Sequence, residues 1–232
     1  MRIAAALFAI FPQICAADVS FARYVDPTDA YGHGALAGGE YAALEVGLTD
    51  GRSLRLSYPK AVFEDTEPRL ADLDADGEME IITVVSTFDQ GARIQVFDLE
   101  ESVIRPIAST APIGTRHRWL SIAGIADFDG NGLVEVAFVD RPHLAKVLRF
   151  VEFDHQAELW TVTSKAALEG HTNHRIGESA ISGGLRSCDG TPEVITANAN
   201  WSRVLATRRY ETRDIGPYDG PQSLVSALDC ED

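Results

Sequence analysis

The chain has 232 residues, 45% of them hydrophobic, which is enough to bury one sizeable core and excludes a chain disordered throughout. Its 35 acidic against 20 basic residues give a formal net charge of -15, and its cations nowhere run longer than a pair such as Arg208 and Arg209. Nucleic acid and anionic membrane surfaces, which need clustered Lys and Arg, are argued against as partners.

The first segment, "MRIAAALFAIFPQICAADVS", carries Arg2, an apolar run from Ile3 to Phe11, and the small residues Ala16 and Ala17. This is the pattern of a secretory signal peptide over residues 1–17, cleaved near Ala17, and it predicts a periplasmic or secreted product. No later segment reaches the ~18 consecutive apolar residues of a membrane helix, so no membrane span is expected. Residues 18–232 then form a single domain. Near its start, "FARYVDP" reads as a strand that either pairs with the chain end or closes an adjoining unit.

Repetition dominates the rest of the chain. "GHGALAGGEYAALEVGL", within 31–60, has a strand-turn-strand rhythm without clustered acids. "PRLADLDADGEMEIITVV" and "RWLSIAGIADFDGNGLVEVAFV" then repeat one another, with Glu80 and Glu135 55 positions apart. A weaker copy, "SAISGGLRSCDGTPEVITAN", places Glu193 a further 58 positions on. Between these turns lie β-branched and aromatic runs such as "RIQVFDL", "KVLRFVEFD" and "RVLATRRY", and no stretch of ten or more residues reads as a capped amphipathic helix. Four-stranded antiparallel units recurring every ~55 residues are the signature of β-propeller blades. The reading is an all-β propeller of four to five blades, with repeats near 31–60, 68–108, 119–163 and 179–218 and a closing strand at 221–229.

The acidic turns carry the chemistry. In D-x-D-x-D-G-x-x-E, Asp72, Asp74, Asp76 and Glu80 occupy positions 1, 3, 5 and 9, and the backbone carbonyl of Glu78 supplies a further oxygen. The second copy offers Asp127, Asp129, Asn131, the carbonyl of Leu133, and Glu135. Ca²⁺ takes six to eight hard oxygen ligands in flexible geometry, so two structural Ca²⁺ ions are expected, one per loop. An EF-hand would place its last acid at position 12 between helices; here it falls at position 9 between strands. Counting back from Glu193 puts Leu185, Ser187 and Asp189 at positions 1, 3 and 5 of the third copy, and no ion is expected there.

At these residues, "DLDADGEME" and "DFDGNGLVE", the chain resembles the FG-GAP and VCBS repeat proteins, which include the integrin α-subunit propeller. The resemblance implies a calcium-bearing propeller that acts as a binding or adhesion platform, with an unidentified protein or glycan as its partner. It leaves the oligomeric state open.

The competing reading is a periplasmic enzyme or accessory subunit using the central channel around "TNHRIGE", with a hydrolytic or transition-metal site built from the histidines, including His117 and His143. His171 and His174, three apart in a loop, are expected to be polar decoration, and Ser179 lacks the turn of a nucleophile elbow. No catalytic residue is assigned. Trp119, Trp160 and Trp201 recur near repeat boundaries and are expected to pack between units. Of the cysteines beyond the leader, Cys188 and Cys230 fall at equivalent turn positions and are expected to form a disulfide that staples the final strand.

Overall fold

The computed structural model describes residues 17–157 and 159–230, so the expected leader lies outside the described residues except for Ala17. The described chain forms three antiparallel sheets and one short helix. The first sheet holds β1 (Val19–Thr28), β2 (Glu40–Leu48), β3 (Ser53–Ser57), β4 (Ala61–Phe63), β5 (Arg69–Ala71), β6 (Glu80–Thr87), β7 (Gly91–Glu100) and β8 (Val103–Ser109). The second runs from β9 (Leu120–Ala126) through β10 (Glu135–Asp140) and β11 (Val147–Gln156) to β12 (Leu159–Glu169). The third comprises β13 (His171–Thr172), β14 (Gly184–Arg186), β15 (Glu193–Asn198), β16 (Arg203–Arg208) and β17 (Glu211–Pro217). None of the three closes on itself.

One local plan recurs. An inner strand, β5, β9 or β14, turns through a polar loop into β6, β10 or β15, and two further antiparallel strands come after it. The strand after each loop begins with the repeated glutamate, as Glu80, Glu135 or Glu193, and is buried along nearly all of its length. Such strands read as continuous apolar runs because both faces lie against protein.

The cores show what covers those faces. One cluster joins Ile82, Val84, Ile94 and Val96 of the first sheet to Ile122, Phe138 and Phe153 of the second and to Trp119 just before it. The next joins Phe128, Ala137 and Phe150 to Val194 of the third. At the near end, Leu44 and Val46 of β2 pack with Ile81, Val85 and Phe97. The strand "FARYVDP" lies in β1, paired with β2 and not with the chain end. The strands expected as a unit near 31–60 belong to the first sheet.

The far end differs from expectation. Residues 221–229 do not form a closing strand: Pro221–Leu228 is an α-helix, α1. Its apolar residues are spaced three apart, with Leu224 and Ala227 buried against Ile195, Val204 and Ala206. Pro221 stands in the first turn, where its missing N–H costs nothing. Arg186 Nη1 donates to the Ala227 carbonyl at 2.7 Å, joining the Cys230 amide (3.2 Å) on that acceptor at the helix C-terminus. The disulfide Cys188–Cys230, Cα–Cα 5.7 Å, therefore ties the second residue after a helix, not a strand, to the third loop.

Candidate metal centres

In the first loop the chain leaves β5 and bends back into β6 through two left-handed residues, Ala75 (φ 62°) and Gly77 (φ 93°). In the second, Gly130 (φ 81°) and Gly132 (φ 91°) occupy the same two places. The matched backbone gathers the acids. Asp72, Asp74 and Glu80 bring carboxylate oxygens within 4.8 Å of one another, and so do Asp127, Asp129 and Glu135. Each triad can hold a metal ion. Asp76 and Asn131 lie outside the triads and serve as turn acceptors for the amides of Glu78 (2.8 Å) and Leu133 (2.7 Å).

The two sites differ in what surrounds the acids. In the first, Asp72 Oδ2 accepts from the Gly77 amide at 3.1 Å, while Asp72 Oδ1 is enclosed with no hydrogen-bond partner. Glu80, 2% exposed, accepts from the Leu73 amide at 2.6 Å. Burial pushes its carboxyl up to about 8, and Asp74, Asp98 and Asp76 push it in the same direction. Across the hairpin, one step beyond the Ile81–Phe97 pair, Asp98 adds another carboxylate, itself raised by burial. An imidazole also reaches this loop: His155 Nδ1 lies 2.7 Å from Asp74 Oδ2, with its ring stacked on Trp160.

The second loop carries its own cation. Lys165 Nζ lies 2.9 Å from Asp129 and 2.8 Å from Glu152, and both contacts raise the lysine's pKa. Glu152 pairs with Glu135 across the strands, the place corresponding to Asp98, and accepts from Asn131 Nδ2 at 2.7 Å. Glu135 takes the Phe128 amide at 2.6 Å and the Tyr210 hydroxyl. Burial raises its carboxyl, and the Tyr210 hydrogen bond opposes that rise.

In the third copy the register corrects the alignment counted from sequence. The pairs Ala71–Glu80 and Ala126–Glu135 each enclose eight residues, whereas Arg186–Glu193 encloses six. Glu193 there receives Arg186 Nη2 at 2.8 Å and Arg213 at 3.0 Å, while Arg208 pairs with Asp189 at 2.8 Å. The repeated glutamate thus meets guanidinium groups in the third loop and, in the second, a tyrosine hydroxyl with an ammonium nearby. In the first it meets further carboxylates.

Sequence reading finds the loop acids because they are contiguous. It misses Asp98, Glu152, Lys165 and His155, which arrive from other strands, and Tyr210, which arrives from the β16–β17 turn. His171 and His174 are also not decoration: both are 1% exposed, and His171 bonds Thr196 at 2.8 Å. Burial holds His171 near a pKa of about 4 and also lowers that of His174. Trp119 is buried between the first two sheets, whereas Trp201 packs against Tyr218 beside α1. No family model matches this chain, and no curated protein matches it.

Proposed function

We propose that the chain is a calcium-binding β-repeat protein of the FG-GAP and VCBS kind, acting outside the cytoplasm as a binding module rather than as a catalyst. The carrying observation is the first loop, where Asp72 Oδ1 is enclosed without a donor beside Asp74 and the buried Glu80. An uncompensated buried carboxylate is costly, and a hard divalent cation with oxygen ligands relieves that cost for the whole cluster at once. The second loop takes an ion more weakly, because Ca²⁺ there competes with Lys165 for Asp129.

Three four-stranded units in sequence, preceded by β1–β4, support reading the fold as a short propeller-type array of about four blades. The Cys188–Cys230 disulfide fits an oxidising compartment, where extracellular modules bind Ca²⁺ at about 10⁻⁴–10⁻³ M. The ions are structural, and the partner is a protein or a glycan.

Thermal melting in chelator and in ~10 mM Ca²⁺ tests the reading. A site with a Kd of ~10⁻⁴ M adds roughly 2.7 kcal/mol to stability at that concentration, so the midpoint rises by several degrees. An unchanged midpoint overturns it.

A further inference from the structure

At the other end of β10 from the acidic loops, connecting segments of the first, second and third sheets converge on a cavity of about 260 Å³. Ala37 and Gly177, on two of these segments, donate to the Glu178 and Ala35 carbonyls at 3.1 and 3.0 Å, joining the loop before β2 to the loop after β13. The six residues of β10 separate the two ends by ~20 Å at about 3.3 Å per residue.

The cavity is lined by His33, His117, Arg118, Trp119, Arg141 and His143 with a few apolar neighbours, and by no Asp or Glu. In a chain of net charge -15 this is a local reversal of sign. Arg118 donates to the His117 carbonyl at 2.7 Å and has no carboxylate within 4.0 Å among the described residues. Arg141 forks onto Asp140 through Nε and Nη2 at 2.7 and 3.0 Å, leaving Nη1 outside that pair, and Arg149 reaches the same carboxylate at 3.0 Å, so two guanidiniums share one anion.

The imidazoles are held from behind. His33 Nδ1 contacts the buried Glu64, which also accepts from the Ser86 hydroxyl. His143 Nε2 lies 2.9 Å from His174 Nδ1, and His174 Nε2 donates to the Glu178 carbonyl at 3.0 Å. His117 keeps a left-handed backbone, φ 57°, a conformation non-glycine residues adopt under tertiary constraint. His117 Nε2 likewise donates to the Tyr31 carbonyl at 2.8 Å, so the rings wall the cavity and the guanidiniums are its donors. Guanidinium donors around a small space lined by no carboxylate are what an oxyanion requires.

We propose that this cavity binds a small oxyanion, a carboxylate or phosphate-type group, gripped by Arg118 and Arg141 between His33, His117 and His143. The buried Trp119 walls one side, and the volume lies just under the range of about 300–1,000 Å³ typical of drug-sized ligand sites, so the ligand is small. Because the acidic loops lie at the opposite strand ends, this site stands or falls independently of calcium.

Two probes separate the sources of such a group: sulfate for a tetrahedral head and benzoate for a carboxylate with an apolar body. Each is titrated into calcium-saturated protein at ionic strength fixed with chloride, following the ring signals of the histidines by NMR. One probe is expected to saturate with a millimolar or lower Kd, moving the His33 and His143 signals. Arg118→Gln is expected to weaken it at least tenfold without shifting the melting midpoint, and Arg118→Lys, which keeps charge but loses the forked donors, to fall between. Ring signals that respond to neither probe beyond the chloride control overturn the proposal, as does undiminished binding by Arg118→Gln or, if that variant does not fold, by Arg118→Lys.

Discussion

A carboxyl at the start of a strand buried on both faces, as Glu80 is, lowers its charge either by taking a proton or by sharing a cation. Its pKa of about 8 without a cation lies above the unfolded value, so its contribution favours folding at low pH and is lost as pH rises toward 8. Asp65, fully buried and raised to about 6, acts in the same direction over a lower range. Chelated protein is therefore expected to lose stability between about pH 4.5 and 8, and saturating Ca²⁺ to flatten that slope; melting midpoints across this range read it directly. Glu80→Gln separates the roles: in chelator it is at least as stable as wild type, because folding then requires no proton uptake at this buried position, and in Ca²⁺ it gains far less. In the second loop, Lys165→Met is expected to lower stability in chelator by about 1–3 kcal/mol and to tighten Ca²⁺ binding there, since Asp129 and Glu152 lose their ammonium. Equal calcium affinity in Lys165→Met and wild type would remove the competition from the account. At this scale the sequence is informative where ligands are neighbours, as from Asp72 to Glu80. It is silent on Lys165 and Asp98, whose places depend on hairpin register.

Among the elements, α1 is the one that sequence reading misassigns, for an identifiable reason. "SLVSALD" resembles "RLADLD", but its buried residues, Leu224 and Ala227, recur at a spacing of three after a proline in the first turn. That is a helical period, too short at eight residues to stand out without the sheet it covers. The strands are legible because β-branched runs alternate with turn residues, and the repeated glutamates mark where β6, β10 and β15 begin. Removing the Cys188–Cys230 link is expected to destabilise by up to roughly 4 kcal/mol on the chain-entropy model for a 42-residue separation, with α1 loosening first. Alkylation of unreduced protein checks the premise: no uptake before reduction is expected at these cysteines, and uptake of two groups contradicts it.

For the molecule as a whole, stacking decides stability. Each sheet buries its faces against the next, and the ends of the stack are covered by different devices, β2 with its neighbours at one end and α1 at the other. Repeat arrays need such ends because an uncovered terminal face is apolar. Along this stack the repeated glutamate meets carboxylates, then a hydroxyl near an ammonium, then guanidiniums, and from this gradient the proposed calcium binding is expected to be tighter in the first loop. Calorimetric titration of Ca²⁺ into chelator-stripped protein, wild type beside Asp72→Asn, tests this claim most directly. The account predicts two saturable sites of unequal affinity in wild type and loss of the tighter one alone in Asp72→Asn; absence of saturable binding, or a variant that binds as wild type does, would contradict it.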